Sequence, residues 1–129
     1  MHALIIEDDY LIGREIQDRL GDLGFTRFSF ARSEDAAMLE GTGPESFDLV
    51  TADVRLLPGD GVTAAEAIHK AKGTPLVFIT AYAEELADRL SGPLAEVPVL
   101  QKPVKAEEFE AAVRQALSLA RPQPRPEST

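Results

Sequence analysis

The sequence predicts an α/β protein built on one open, doubly wound parallel sheet with helices on both faces. Short apolar runs alternate with amphipathic helical patterns five times along the 129 residues. Three of these runs are continuously apolar, which is typical of parallel strands covered on both faces. Five βα repeats with short, right-handed connections leave few topologies, and the strand order 2-1-3-4-5 is a common one.

The five predicted strands have two kinds of pattern. The first, third and fourth contain continuous apolar runs, whereas the second, FTRFSF, alternates apolar and polar residues and is therefore expected at an edge of the sheet. The strands are expected at residues 3–6, 25–31, 48–52, 76–80 and 97–101.

A helix is predicted after each strand. The first places Ile12, Ile16 and Leu20 along one stripe and ends before Gly24. The second opens with Ser33, a residue that caps helix N-termini, followed by two acids at the positive end of the helix dipole. The helices are expected at residues 9–23, 33–40, 61–72, 82–90 and 105–120.

Composition excludes several classes of protein. A net charge of −9, from 22 acidic and 13 basic residues, argues against binding to a nucleic-acid backbone. There is no cysteine, which excludes disulfides and thiolate sites. Neither a membrane-spanning run nor a signal peptide is visible, so we expect a cytoplasmic protein without membrane contact. One domain is expected over residues 1–121, with a disordered Pro-rich tail at 122–129.

Polar side chains follow four of the five predicted strands. Glu7 and Asp8 follow the first strand, Asp53 the third, Thr80 the fourth and Lys102 the fifth. Ligands of such sheets bind beyond the carboxyl ends of the strands, near the point where strand order reverses. The sequence therefore predicts one pocket containing carboxylates, a hydroxyl and an ammonium.

The predicted pocket has the chemistry of phosphoryl transfer. Carboxylate oxygens without thiolate or imidazole partners suit Mg²⁺, and a divalent cation allows adjacent carboxylates to coexist. A carboxylate can attack phosphorus and form an acyl phosphate. The metal, a lysine and a hydroxyl can then neutralise the phosphoryl oxygens.

This ordered set of residues resembles the receiver domain of two-component response regulators over residues 3 to about 120. The family's order is met by the acid pair, by Asp53 with Gly61 eight residues later, by Thr80 and by Lys102-Pro103. The resemblance implies a flavodoxin-like (βα)5 fold. It also implies that a sensor histidine kinase transfers a phosphoryl group to the protein with Mg²⁺ as cofactor.

The resemblance also implies a role for each site residue. Asp53 is the expected phospho-acceptor, and Thr80 and Lys102 are expected to hold the phosphoryl oxygens. Asp9 would cap the following helix, and the Lys102–Pro103 peptide bond is expected to be cis. The metal ligands implied are Asp8 directly, Glu7 through water, Asp53, and the backbone carbonyl of Arg55. Arg55 and Tyr82 would flank the phosphoryl group and modulate the access of water.

The sequence departs from the family pattern at two positions. The proline usually found four residues after the acceptor is one residue later, at Pro58, so the detailed path of that loop is not implied. The aromatic switch residue is replaced by Val99. The stretch PLVFITAY is similar to that of an alphaproteobacterial subgroup that lacks this aromatic, is often single-domain and has several members linked to the general stress response.

Each candidate residue also has an ordinary structural interpretation. The acids at residues 7–9 could form only an acidic helix start, Thr80 could be a strand-end residue, and Lys102 a solvated loop lysine. Arg55 is most often a loop cation and Tyr82 a packing residue. We interpret Asp60 as a turn residue and both histidines, His2 and His69, as exposed structural residues rather than phosphorelay groups.

Three functions remain open at this point. The first is a stand-alone receiver, not a turnover enzyme, that catalyses its own phosphorylation and dephosphorylation. It would signal by protein contact, through the face formed by the fourth helix, fifth strand and fifth helix, or act as a phosphate sink. The second is a phosphorylation-independent adaptor with a relict pocket. The third, a small Mg²⁺ phosphohydrolase, is disfavoured because no DxD pair follows the first or third strand.

Overall fold

Five parallel strands and five helices form the structure, a computed structural model that describes residues 1–56 and 59–120. The strands are β1 (His2–Ile6), β2 (Arg27–Ala31), β3 (Leu49–Ala52), β4 (Leu76–Thr80) and β5 (Val99–Gln101). The helices are α1 (Tyr10–Asp22), α2 (Glu34–Thr42), α3 (Gly61–Lys72), α4 (Ala83–Arg89) and α5 (Ala106–Ala120). The sheet order β2-β1-β3-β4-β5 confirms the predicted fold, and β2 lies at an edge as its alternating pattern indicated.

Some element boundaries differ from the prediction. β2 begins at Arg27 rather than Phe25, because Phe25 is buried and its amide donates to Leu20 O at the end of α1. β5 begins at Val99, and a short 3-10 helix over Gly92–Leu94 that the pattern did not indicate precedes it. Pro58 and the predicted tail at 122–129 lie outside the described residues.

The core consists of two apolar layers, one on each face of the sheet. Along β1, Leu4 and Ile6 point into one layer and Ala3 and Ile5 into the other, as the two-residue period of a strand requires. The first layer packs against α2, α3 and α4, and the second against α1 and α5. Since helices cover both faces, polar groups can gather at the exposed ends of the strands.

Side-chain caps determine where the helices begin. The Asp9 carboxylate accepts hydrogen bonds from the amides of Leu11 and Ile12 at 2.9 and 3.2 Å, so it is the N-cap of α1. Ser33 Oγ accepts from the Ala36 amide at 3.1 Å at the start of α2. Both caps were expected from the sequence, and Asp9 is thereby oriented toward the helix.

The prediction that His2 is exposed is wrong. Its side chain is buried, with Nε2 2.9 Å from Ser29 Oγ and the ring centroid 4.6 Å from that of Phe47. The reason is that β1 starts one residue earlier than expected, so His2 belongs to a strand covered on both faces. His69 is half-buried in the last turn of α3, away from the carboxyl ends of the strands.

No helix within the described ranges is both long enough and apolar enough to cross a membrane.

Candidate functional site

The register of β1 and β3 places their acidic residues side by side. Ile6 pairs with Ala52, so the next residues along each strand, Glu7 and Asp53, leave the sheet at the same level. The Asp53 amide donates to Ile6 O at 2.9 Å, and the Glu7 amide donates to Ala31 O at 3.0 Å. Backbone hydrogen bonds therefore fix the backbone positions from which both side chains extend.

Three carboxylates meet at this edge of the sheet. One oxygen from each of Glu7, Asp8 and Asp53 lies within 4.8 Å of the other two. Glu7 and Asp53 are only 3% and 7% exposed, whereas Asp8 is half-buried. Acidic groups this close and this dry repel one another strongly, so the cluster requires positive charge nearby.

Lys102 provides positive charge within the cluster. Its Nζ lies 3.2 Å from Asp53 Oδ2, to which it donates a hydrogen bond, and 3.2 Å from Glu7 Oε1. The Lys102 amide donates to Thr80 O at 2.8 Å, which extends the β4–β5 pairing to this residue. The Lys102–Pro103 peptide bond is cis, the conformation that the resemblance implied.

Burial and neighbouring charges shift the pKa values of Glu7 and Lys102. Burial, with the charge of Asp53 as a second cause, raises the pKa of Glu7 to about 7, although Lys102 opposes both effects. Burial acts to lower the pKa of Lys102, but Glu7 and Asp53 outweigh it and the pKa is raised. The ammonium is therefore charged at neutral pH, while Glu7 lies close to its point of half-protonation.

The residues present fit a bound Mg²⁺. All three side chains offer hard oxygen ligands, which Mg²⁺ prefers. Glu7 Oε1 is buried and lies 3.2 Å from Lys102 Nζ, and Glu7 Oε2 accepts from the Asp9 amide at 3.2 Å. Each carboxylate oxygen has a second lone pair, so Glu7 can also contact a cation. A second positive charge would also offset the repulsion from Asp53 that, after burial, raises the pKa of Glu7.

Gly61 is required by the loop that follows Asp53. A Cβ at this position would lie 1.7 Å from Asp53 O, closer than any non-bonded contact allows. The Gly61 amide donates to Val54 O at 2.8 Å and Leu56 N donates to Gly59 O at 3.2 Å, so hydrogen bonds hold the backbone on both sides of Arg55. The glycine eight residues after Asp53 is thus a steric requirement of the backbone next to Asp53.

Thr80, Arg55 and Tyr82 line a cavity of about 310 Å³, which Val54, the residue after Asp53, also lines. The Arg55 guanidinium carbon lies 4.2 Å from the centre of the Tyr82 ring, a cation–π arrangement. Thr80 Oγ1 is buried and accepts from the Tyr82 amide at 3.1 Å. The structure therefore brings the predicted modulators Arg55 and Tyr82 together, next to the predicted switch hydroxyl.

Sequence reasoning missed two groups of contacts around this site. The Gln101 side chain, next to Lys102, hydrogen-bonds Ala81 in the loop after β4 and Ala83 at the start of α4. Asp60, interpreted as a turn residue, caps α3 and also pairs with Arg89 of α4 at 3.1 Å. A polar residue ending a strand beside a site lysine was a detectable signal for Gln101, whereas nothing local indicates the contact between Asp60 and Arg89.

Comparison with known proteins identifies the family. The sequence model of the response regulator receiver domain matches residues 3–114. The chain belongs to the response regulator receiver family. Two-component signalling is therefore the context in which this domain is to be understood.

Several PhyR proteins are among its relatives. The chain is 32% identical over 116 residues to the phyllosphere-induced regulator PhyR of Methylorubrum extorquens, covering 88% of this chain and 42% of that protein. The receiver domain of PhyR from Erythrobacter litoralis is 31% identical with a TM-score of 0.80, covering 96% of this chain and 94% of that one. The anti-anti-sigma factor PhyR of Bartonella quintana is 28% identical with a TM-score of 0.75, over 92% and 48% of the two chains. The chain spans about half the length of the curated relatives it matches.

Proposed function

We propose that this receiver accepts a phosphoryl group on Asp53 from the phosphohistidine of a sensor histidine kinase. The observation that carries the proposal is the Lys102 ammonium placed 3.2 Å from oxygens of both Asp53 and Glu7 inside a buried carboxylate cluster. A lysine held there by backbone pairing is positioned to neutralise charge on a phosphoryl group attached to Asp53.

The proposed chemistry balances without another reactant. An Asp53 carboxylate oxygen forms the new bond to phosphorus while the phosphorus–nitrogen bond to the donor histidine breaks, and the imidazole leaves with the electron pair and is protonated by solvent. Mg²⁺, held by Glu7, Asp8, Asp53 and the Arg55 carbonyl, would supply charge neutralisation at the phosphoryl oxygens. Lys102 and the Thr80 hydroxyl contact the remaining oxygens after transfer.

Arg55 and Tyr82 modulate the lifetime of the acyl phosphate in this proposal. Both line the cavity next to Thr80, and the Arg55 guanidinium carbon lies 4.2 Å from the centre of the Tyr82 ring. Loss of either side chain therefore gives water a different path to the phosphorus atom. We expect Tyr82→Ala and Arg55→Ala to change the rate of hydrolysis without preventing phosphorylation.

The output of the domain is proposed to be a protein contact in the cytoplasm. The face formed by α4, β5 and α5 lies next to Thr80 and Lys102, so it is placed to respond when they engage a phosphoryl group. Similarity to PhyR, one example of which is an anti-anti-sigma factor, favours a downstream protein over a pure phosphate sink. The domain catalyses its own modification and is not a turnover enzyme.

A labelling experiment tests the acceptor. With Mg²⁺ and phosphoramidate, and then with phosphorylated histidine kinases of the host, the wild type is expected to gain one acid-labile phosphoryl group. Asp53→Asn should gain none, while Asp18→Asn, an exposed carboxylate on α1, should behave as the wild type. Undiminished labelling of Asp53→Asn would exclude the assignment. Partner binding that is unaffected by Asp53→Asn would instead support the phosphorylation-independent adaptor.

A further inference from the structure

Gln101 joins the end of β5 to the loop that leads from Thr80 into α4. Its Nε2 donates to Ala81 O at 2.7 Å and to Lys102 O at 3.2 Å, and its Oε1 accepts from the Ala83 amide at 3.0 Å. The side chain is exposed, so packing does not account for its position. One amide group thus contacts the residue after Thr80, the first residue of α4 and the backbone of Lys102.

The position of Gln101 in the sheet connects both proposed phosphoryl contacts. Gln101 pairs with Thr80 in the β4–β5 register, and the next residue, Lys102, donates its amide to Thr80 O. Val99, two residues earlier on the same strand, is half-buried and pairs with Phe78. A valine has no polar group and no ring with which to link β5 to the loop, whereas Gln101 makes that link directly.

The helix that follows this loop has few other attachments. α4 contains seven residues, its N-cap residue Tyr82 makes no side-chain cap, and Leu86 is its buried residue. Arg89 pairs with Asp60 at 3.1 Å, and Glu85 lies 3.9 Å from Arg55. An element with one buried anchor and exposed ion pairs is inexpensive to shift, so its first turn follows the loop to which it is attached.

From these contacts we infer that Gln101 is a positioning residue that transmits phosphorylation of Asp53 to α4. The inference rests on the proposed function. When Lys102 and Thr80 contact the phosphoryl group, the ends of β5 and β4 shift, and the Gln101 amide carries that shift to Ala81 O and Ala83 N. Without this amide, Thr80 and Lys102 still engage the phosphoryl group, but α4 no longer moves with them.

The test compares the response of the backbone amides to Mg²⁺ with beryllofluoride, an acyl-phosphate mimic. Gln101→Met keeps the length of the side chain and removes all three hydrogen bonds. In the wild type we expect chemical-shift changes at residues 53–56, 80–89 and 99–104. In Gln101→Met the changes at 53–56 and 99–104 remain, and those at 83–89 fall by at least half. Gln115→Met, at an exposed glutamine of α5, should respond as the wild type.

Each outcome decides between the proposals. Changes at 83–89 of wild-type size in Gln101→Met overturn the role of Gln101 and leave the acceptor assignment intact. A wild type that shows no changes with the mimic overturns the proposed function and this inference with it. If Gln101→Met does not fold, Gln101→Ala decides, since it also removes all three hydrogen bonds and adds no charge. A reduced response at 83–89 in that variant supports the inference, and a full response overturns it.

Discussion

At the scale of single residues, the burial of Glu7 beside Asp53 makes its ionised form unfavourable, so the free energy of unfolding depends on pH. The pKa of Glu7 rises from 4.5 to about 7 in the folded protein, so between these values the folded state binds more protons than the unfolded state. The stability that neutral Glu7 contributes is fully present below pH 4.5 and is lost as pH rises through 7. Ionisation of Glu7 should therefore make the metal-free protein less stable at pH 8 than at pH 5.

Glu7→Gln tests that cost. Glutamine resembles the neutral carboxylic acid, so without metal we expect the variant to be more stable than the wild type at pH 8 by about 1–3 kcal/mol, a difference that shrinks toward pH 5. Urea denaturation in EDTA across this pH range measures it. The same variant should lose affinity for Mg²⁺. An unchanged pH slope in Glu7→Gln would show that Glu7 is ionised throughout.

Gly61 gives a second prediction at this scale, because its lack of a side chain is a steric requirement. Gly61→Ala places a methyl group against Asp53 O and forces the backbone to move, which we expect to destabilise the protein by about 2–4 kcal/mol. Gly21→Ala is the matched control, since a Cβ there meets nothing within 4 Å and lies in a helix, where alanine is favoured. Equal melting temperatures for the two variants would contradict the close approach.

At the scale of elements, the acids at residues 7–9 divide between two structures. Glu7 and Asp8 belong to the carboxylate cluster, whereas the Asp9 side chain caps α1. Asp9→Ala should therefore destabilise the protein by about 1 kcal/mol and change Mg²⁺ affinity by less than about twofold. Asp8→Asn should instead cause a large loss of Mg²⁺ affinity and change the stability of the metal-free protein little. Urea denaturation in EDTA, followed by Mg²⁺ titration of each variant, separates the two roles. Parallel losses in both measurements would mean that Asp9 belongs to the cluster.

The sequence was sufficient to predict the elements and their order because each strand has its own periodic signal and parallel crossovers leave few arrangements. It predicted the order of the acids, Thr80 and Lys102 along the chain, and the register of the strands then determined which of them meet. It was insufficient for the contacts of Gln101 and for the burial of His2. Those depend on where a strand starts and on which loop lies next to a side chain, which no local pattern specifies.

At the scale of the whole molecule, the net charge is −9 and three carboxylates cluster at one edge of the sheet, so we expect divalent cations to stabilise the fold. Mg²⁺ that binds the folded state alone stabilises it by about 1.4 kcal/mol when its concentration is roughly ten times the dissociation constant. For a domain of this size we expect a rise of about 3–6 °C in melting temperature.

General screening of the negative charge would also raise the melting temperature, and NaCl at equal ionic strength measures that contribution. In Asp8→Asn the two salts should act alike, because only screening remains. A wild type for which Mg²⁺ adds nothing beyond NaCl would show that the carboxylate cluster binds no Mg²⁺ at these concentrations.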